Sequence, residues 1–214
     1  MVSNLRSALF GLFALLIAFV AHADVTQGRD YRLVQPPQPT STPGKIEVIE
    51  FFSYGCPHCA HFHPEVSSWA KALPDDIVFV RVPVAFGRRP WGQLVRAFYA
   101  LEATGDLAKV DDALFKAIHE EGKQLVDQDS IAAWLAQQGV DATRFRNAFN
   151  SFDVSRKSQR AEQMSRDYGV SGVPHLVING KYGVIGPDRL RIADELIERE
   201  RAAKASSPAS ATSP

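Results

Sequence analysis

Cys56 and Cys59 are the only cysteines in the chain, and they stand three positions apart in Cys56-Pro57-His58-Cys59. A thiol pair at that spacing can close into a tight disulfide or open to a dithiol. A strongly apolar run precedes it and a helical pattern follows, so the pair stands at a strand-to-helix joint. If that joint is a helix N-terminus, free N–H groups and the positive dipole end favour one sulfur as thiolate. Thiol–disulfide exchange needs one thiolate to attack, or be attacked, and a second sulfur to resolve the mixed disulfide. Cys56, at the turn, is expected to be the exposed member, and Cys59, one turn on, the buried resolving one. The His58 ring can add to stabilisation of the Cys56 anion. A stabilised thiolate favours the dithiol over the uncharged bridge, which makes the bridge an oxidant.

Zinc is the rival chemistry. Cys56, His58, Cys59, His61 and His63 fall within eight residues, and zinc sites use such pairs with histidines. A helix would spread these side chains around its axis, and no second ligand pair follows at finger-like spacing. The expectation is no metal and no cofactor. His61 and His63 read as surface or helix-packing residues, His119 as a surface residue, and Trp91 and Trp134 as core of a helical lobe.

The N-terminus bears on compartment. A short segment with one cation, Arg6, precedes an unbroken run of apolar residues and Gly from Ala8 to Val20, and then Ala21-His22-Ala23. This reads as a cleavable secretory signal over residues 1–23, because the run falls short of the ~18–20 residues that span a bilayer. In an oxidising compartment a cysteine pair forms disulfides rather than staying reduced. So short a loop is a poor staple, because closing it removes little unfolded-state entropy. Catalysis explains the pair better.

Composition excludes little else. With 24 Lys+Arg against 24 Asp+Glu, net charge is zero and the charges are interspersed. Nothing points to nucleic acid. No Ser/His/Asp arrangement, phosphate-binding loop or dinucleotide glycine pattern is present.

The elements that must hold the pair can be read from periodicity. After a polar, proline-rich stretch with one short strand at Tyr31–Val34, Lys45–Phe52 reads as a buried strand. A helix from about Cys56 to Leu73 contains Pro64 and is expected to kink there. Ile77–Val82 is a second core strand. Helical spacing then fills Pro90–Ala103, Asp106–Glu121, Ser130–Gln138, Ala142–Phe149 and Val154–Tyr168, with helix starts at Asp129 or Ser130 and at Asp141. Strand signals return at His175–Ile178, then an Asn179-Gly180 hairpin turn, Lys181–Ile185 and a closing helix from about Asp188 to Arg201. Ala205–Pro214 reads as a disordered tail.

The order β, α, β, helical block, ββ, α matches an α/β thioredoxin fold with an inserted helical domain. The chain resembles the DsbA family of periplasmic thiol:disulfide oxidoreductases. The resemblance is carried by Glu50-Phe51-Phe52-Ser53-Tyr54-Gly55-Cys56-Pro57-His58-Cys59, Gly172-Val173-Pro174 and Asn179-Gly180-Lys181-Tyr182. It implies thioredoxin segments over 24–85 and 167–203, an insertion over 86–166, and a tail over 204–214. It implies that a Cys56–Cys59 disulfide is donated to newly exported, unfolded proteins with free thiols, through a mixed disulfide on Cys56. It further implies reoxidation by an inner-membrane DsbB-like partner, a Gram-negative periplasm and a monomer. Pro57 and His58 are the central pair of the motif. Pro174 matches a proline that follows a cis bond and faces the disulfide, with Val173 pairing to substrate backbone. Glu50 matches a buried acid that relays a proton to Cys59. The family's usual basic partner is a lysine on the next strand, where this chain offers Arg81. Arginine does not give up its proton, so Glu50 and Arg81 read either as a relay or as a structural pair. Two other readings are an isomerase or reductase, which lacks the long N-terminal dimerisation domain here, and a holdase with idle cysteines.

Overall fold

The computed structural model describes residues 24–206; residues 1–23, expected to be a signal segment, and residues 207–214 lie outside the described residues. The strands are β1 (Tyr31–Leu33), β2 (Ile46–Phe52), β3 (Ile77–Pro83), β4 (His175–Ile178) and β5 (Tyr182–Val184). They form one sheet in the order β1-β5-β4-β2-β3, in which only β2 and β3 run parallel. The helices are α1 (Pro57–Lys71), α2 (Arg89–Thr104), α3 (Leu107–His119), α4 (Gln128–Gln137), α5 (Ala142–Phe149), α6 (Phe152–Asp167) and α7 (Arg189–Ser206).

Strand β2 is buried along its whole length, as its continuous apolar run requires of a central strand. Its side chains alternate between two cores. Ile46 and Val48 face Phe62 and Val66 of α1 and Leu196 and Ile197 of α7. Ile49 and Phe51 face Ala161 of α6, Tyr168 and Val177. Both faces of the sheet are therefore covered. Phe52, at the C-terminal end of β2, enters a third core with Phe98 of α2, Leu114 and Phe115 of α3, and Phe145 of α5. This side chain joins the sheet to the five helices inserted between β3 and β4, and each such burial is worth ~1.5–3 kcal/mol.

Most helix ends follow their local signals. Asp141 accepts from the N–H groups of Thr143 and Arg144, and Gly105 closes α2 in the left-handed conformation at φ 73°. Helix α4 starts earlier than expected from Asp129 or Ser130. Its cap is Asp127, whose carboxylate accepts from the Ser130 N–H while the Ser130 hydroxyl takes the Asp127 N–H. Helix α7 runs to Ser206, past the expected Arg201 and into the stretch read as tail; Ile192, Ala193, Leu196, Ile197 and Glu200 are buried in its earlier turns, and beyond them Lys204 donates to the Gly44 carbonyl at 3.1 Å.

The segment before β2 is more tightly held than its composition implies. Val34 and Gln38 donate backbone N–H groups to the Lys181 and Gly180 carbonyls of the β4–β5 turn. Asn179 and Gly180 both have positive φ, 51° and 67°, as a two-residue hairpin turn needs.

Candidate active site

Strand β2 ends at Phe52, and Ser53-Tyr54-Gly55 carries the chain to the N-terminus of α1. Cys56 is the N-cap residue in extended conformation and Pro57 occupies the first turn, where its missing N–H is no loss. Cys59 therefore lies inside the first turn and faces the core. Both cysteines are free thiols. Cys59 is 1% exposed and Cys56 only 5%, which corrects the expectation that Cys56 is openly exposed. The physical reason is the loop before β4. When protonated, the Cys56 thiol donates to the Val173 carbonyl at 3.5 Å, and Val173 and Trp91 pack against the same core as the sulfur. Pro57 and His58 are exposed. The Val173–Pro174 peptide is cis. Beside the motif, His58, His61, Phe62, Val173, Pro174 and Arg189 help to line a cavity of about 430 Å³.

The electrostatics separate the two sulfurs. A hydrogen bond from the Cys59 thiol lowers the Cys56 pKa to about 6, helped by the N–H groups of Cys59 and His58 and by the His58 charge, against burial. The same hydrogen bond and burial push Cys59 far up. The pair thus holds one sulfur as an anion near neutral pH and keeps the other protonated, an arrangement suited to exchange with a second thiol pair.

A family model, the DSBA-like thioredoxin domain, matches residues 90–198. The thiol:disulfide interchange protein DsbA of Azotobacter vinelandii is 43% identical over 188 residues, covering 85% of this chain and 87% of that protein. That of Pseudomonas aeruginosa is 43% identical over 197 residues, covering 89% and 93%. The crystal structure of Pseudomonas aeruginosa DsbA superposes with a TM-score of 0.81 at 42% identity, covering 85% of this chain and 97% of that one. The oxidoreductase DsbA from Xylella fastidiosa gives 0.79 at 38% identity, covering 83% and 98%. The chain belongs to the DsbA family. It is a thiol:disulfide oxidoreductase on a thioredoxin fold with a helical insertion, and its activity is disulfide donation to substrates.

In this DsbA-family protein, Glu50 and Arg81 face each other across the β2–β3 ladder, and Arg81 Nε donates to Glu50 Oε2 at 2.9 Å. Glu50 is 1% exposed, and burial raises its pKa against the opposing pull of Arg81. Sequence reasoning missed the third member. Asp111 of α3 accepts from Arg81 Nη1 at 2.6 Å and from the Tyr54 hydroxyl. The Arg81 guanidinium also lies 4.0 Å from the centroid of the Phe52 ring. The available signal was an acid at position 111, next to Val110 in the Leu107, Val110, Leu114, Ile118 stripe of α3.

Two aromatic or imidazole side chains, His119 and Trp91, lie elsewhere than expected, while His63 packs between helices as one of its two readings had it. His119 is half-buried, and its Nε2 lies 2.7 Å from the Tyr54 carbonyl, so the ring donates there and holds the turn before Cys56. Trp91 is half-buried at the N-terminal end of α2, against Gly55, rather than in the lobe interior. His63 is buried and bonds Asp112 at 2.7 Å, a helix-packing contact between α1 and α3. Trp134 is buried in the lobe core as expected. Among the described residues, the one group of three potential metal ligands is His63, Asp111 and Asp112, which includes no cysteine. Among the described residues, no three of Cys56, His58, Cys59, His61 and His63 come within ligating distance of one another.

Proposed function

We infer that Cys56 is the sulfur that forms the mixed disulfide and Cys59 the one that leaves as it forms and resolves it in the reverse direction. The opposite pKa shifts of two thiols one helical turn apart carry this reading. A substrate thiolate attacks Cys56 Sγ of the oxidised protein; the Cys56–Cys59 bond breaks, and Cys59 leaves with the electron pair and takes up a proton. A second substrate thiolate then attacks the substrate sulfur of the mixed disulfide and releases Cys56 as thiolate. The substrate gains a disulfide, and two electrons stay on the protein. Pro57 and His58 shape and polarise the Cys56 site. Val173 offers its backbone to an extended substrate beside Pro174, in the manner of strand addition. Glu50 is the buried carboxyl on the Cys59 side, and its charge disfavours the Cys59 thiolate. Held on an arginine that does not deprotonate, Glu50 sets the local field.

The substrates are newly exported, unfolded proteins with free thiols, and a DsbB-like membrane protein restores the disulfide. The working compartment is the periplasm, reached through the signal segment at residues 1–23. Among the described residues no helix is long and apolar enough to cross a membrane. The thioredoxin unit comprises 24–85 and 167–203, with 86–166 inserted, and the protein acts as a monomer.

The test is single-turnover oxidation of a dithiol peptide. Wild type in its disulfide form oxidises the peptide, Cys59→Ser accumulates a mixed disulfide on Cys56 when given a peptide mixed disulfide, and Cys56→Ser does neither. Oxidation by Cys56→Ser at the wild-type rate overturns the assignment.

A further inference from the structure

A second cavity of about 340 Å³ shares Val173 and Pro174 with the His58 cavity. Its lining includes Arg32, Ser171, Val173, Pro174, His175 and Arg189. Arg189 is common to both cavities, as are Val173 and Pro174. The second cavity differs from the first in charge. Glu65 and Asp188 line the His58 cavity, whereas the charged groups lining the second are two guanidiniums with no carboxylate.

Three observations show that these groups lack the partners such groups normally take. His175 is 9% exposed, and its Nε2 is buried without a hydrogen-bond partner. Gly183 supplies the room for that ring, since a Cβ there would meet Nε2 at 2.9 Å. Arg189 has no carboxylate partner among the described residues; the neighbouring carboxylate, Asp188, is taken by Arg191 at 3.0 Å, and Arg189 lies 5.9 Å from the Phe62 ring centroid. Arg32 donates to a carbonyl, that of Gly169, and not to an acid. A buried polar atom without a partner is costly, as at His175 Nε2, and the two guanidiniums bring charge that no ion pair among the described residues offsets.

We propose that the Arg32–His175–Arg189 cavity is a subsite for a substrate carboxylate, so that the protein prefers extended thiol segments carrying Asp or Glu close to the reacting cysteine. The proposal rests on the disulfide-donating reading above. A strand laid along Val173 carries successive side chains to opposite sides, ~3.3 Å apart along the chain, so residues flanking the cysteine fall within reach of this wall. The two guanidiniums supply charge and planar donors that suit a carboxylate. Burial and the two arginines hold the His175 pKa down at about 4, so its ring adds no charge to the cavity at neutral pH. The N-terminal end of α7 begins at Arg189 and adds its positive dipole end.

The experiment uses the oxidised full-length mature protein and three dithiol peptides, identical except that the residues flanking the first cysteine are Glu, Gln or Lys. Oxidation is followed by acid quench and chromatography. Comparing each peptide between wild type and variant cancels the peptide's own thiol acidity. Relative to the Lys peptide, the wild type oxidises the Glu peptide about fivefold faster than Arg189→Gln does, and high salt erodes the difference. Arg189→Glu reverses the preference, and Arg32→Gln reduces it should the Arg189 variants fail to fold. Arg156→Gln, on α6, paired with Asp153 and absent from the cavity lining, retains it. A Glu-to-Lys ratio unchanged between wild type and both Arg189→Glu and Arg32→Gln overturns the subsite. Failure of wild type to oxidise any of the three peptides would instead overturn the disulfide-donating assignment.

Discussion

Asp111 of α3 sits 2.6 Å from Arg81 of β3 and links the helical insertion to the sheet directly behind the cysteine pair. Arg81 is held between two acids, Glu50 and Asp111, and both arms are at hydrogen-bond distance. Removing the cation leaves Glu50 buried without compensation. Arg81→Leu is therefore expected to lower unfolding stability by ~3–5 kcal/mol in urea melts. Asp111→Asn, whose partner keeps Glu50, should lose less, ~1–3 kcal/mol. Equal losses in the two variants would show that the arginine does not bridge.

The pH dependence of stability follows from Cys56. Its folded-state pKa, about 6, lies below that of an unfolded thiol, so the thiolate stabilises the reduced protein. That contribution is complete above the unfolded value, ~8.5, and is lost as pH falls through about 6. Between pH ~5.5 and ~8 the reduced form gains ~2 kcal/mol, and the oxidised form has no thiolate to gain by. For a chain of this size the difference in Tm, reduced minus oxidised, should widen by ~5 °C over that range. Calorimetry on both redox forms checks it, and a flat difference contradicts the depressed thiol.

Gly55 is set by Trp91. A Cβ at position 55 would fall 2.6 Å from Trp91 Cδ1, so Gly55→Ala must displace the indole or the turn that presents Cys56. The expected loss is ~1–3 kcal/mol with a shift in tryptophan emission, and Trp91→Ala in the same chain should recover most of it.

Gly180 is constrained twice. Its φ is +67°, and a Cβ there would overlap the Gln38 carbonyl that packs on the hairpin turn. Gly180→Ala is expected to cost ~2 kcal/mol and to loosen residues 34–38, read as faster amide exchange at Val34 and Gln38. Exchange unchanged at both amides would show that the turn does not hold the segment.

His119 gives a local test of the turn. Its ring N–H meets the Tyr54 carbonyl at 2.7 Å, two residues before Cys56. His119→Ala leaves that carbonyl without its donor and should cost ~1–2 kcal/mol in urea melts, while His119→Gln restores part of it.

Much of this protein was legible in one dimension because the signals involved are local. Cys56-Pro57-His58-Cys59 behind an apolar strand states its chemistry by spacing, and Asn179-Gly180 states its turn by backbone preference. Glu50 and Arg81 could be set opposite each other in advance only through the family resemblance, and the parallel β2–β3 register places them so. What only the tertiary structure decided are contacts between elements far apart in sequence. Asp111 closing on Arg81, His119 on Tyr54, Trp91 on Gly55 and Val173 over Cys56 depend on how the inserted helices and the loop before β4 dock. Periodicity shows which face of a helix is buried, but not which partner meets it; the close packing of the folded core makes that choice.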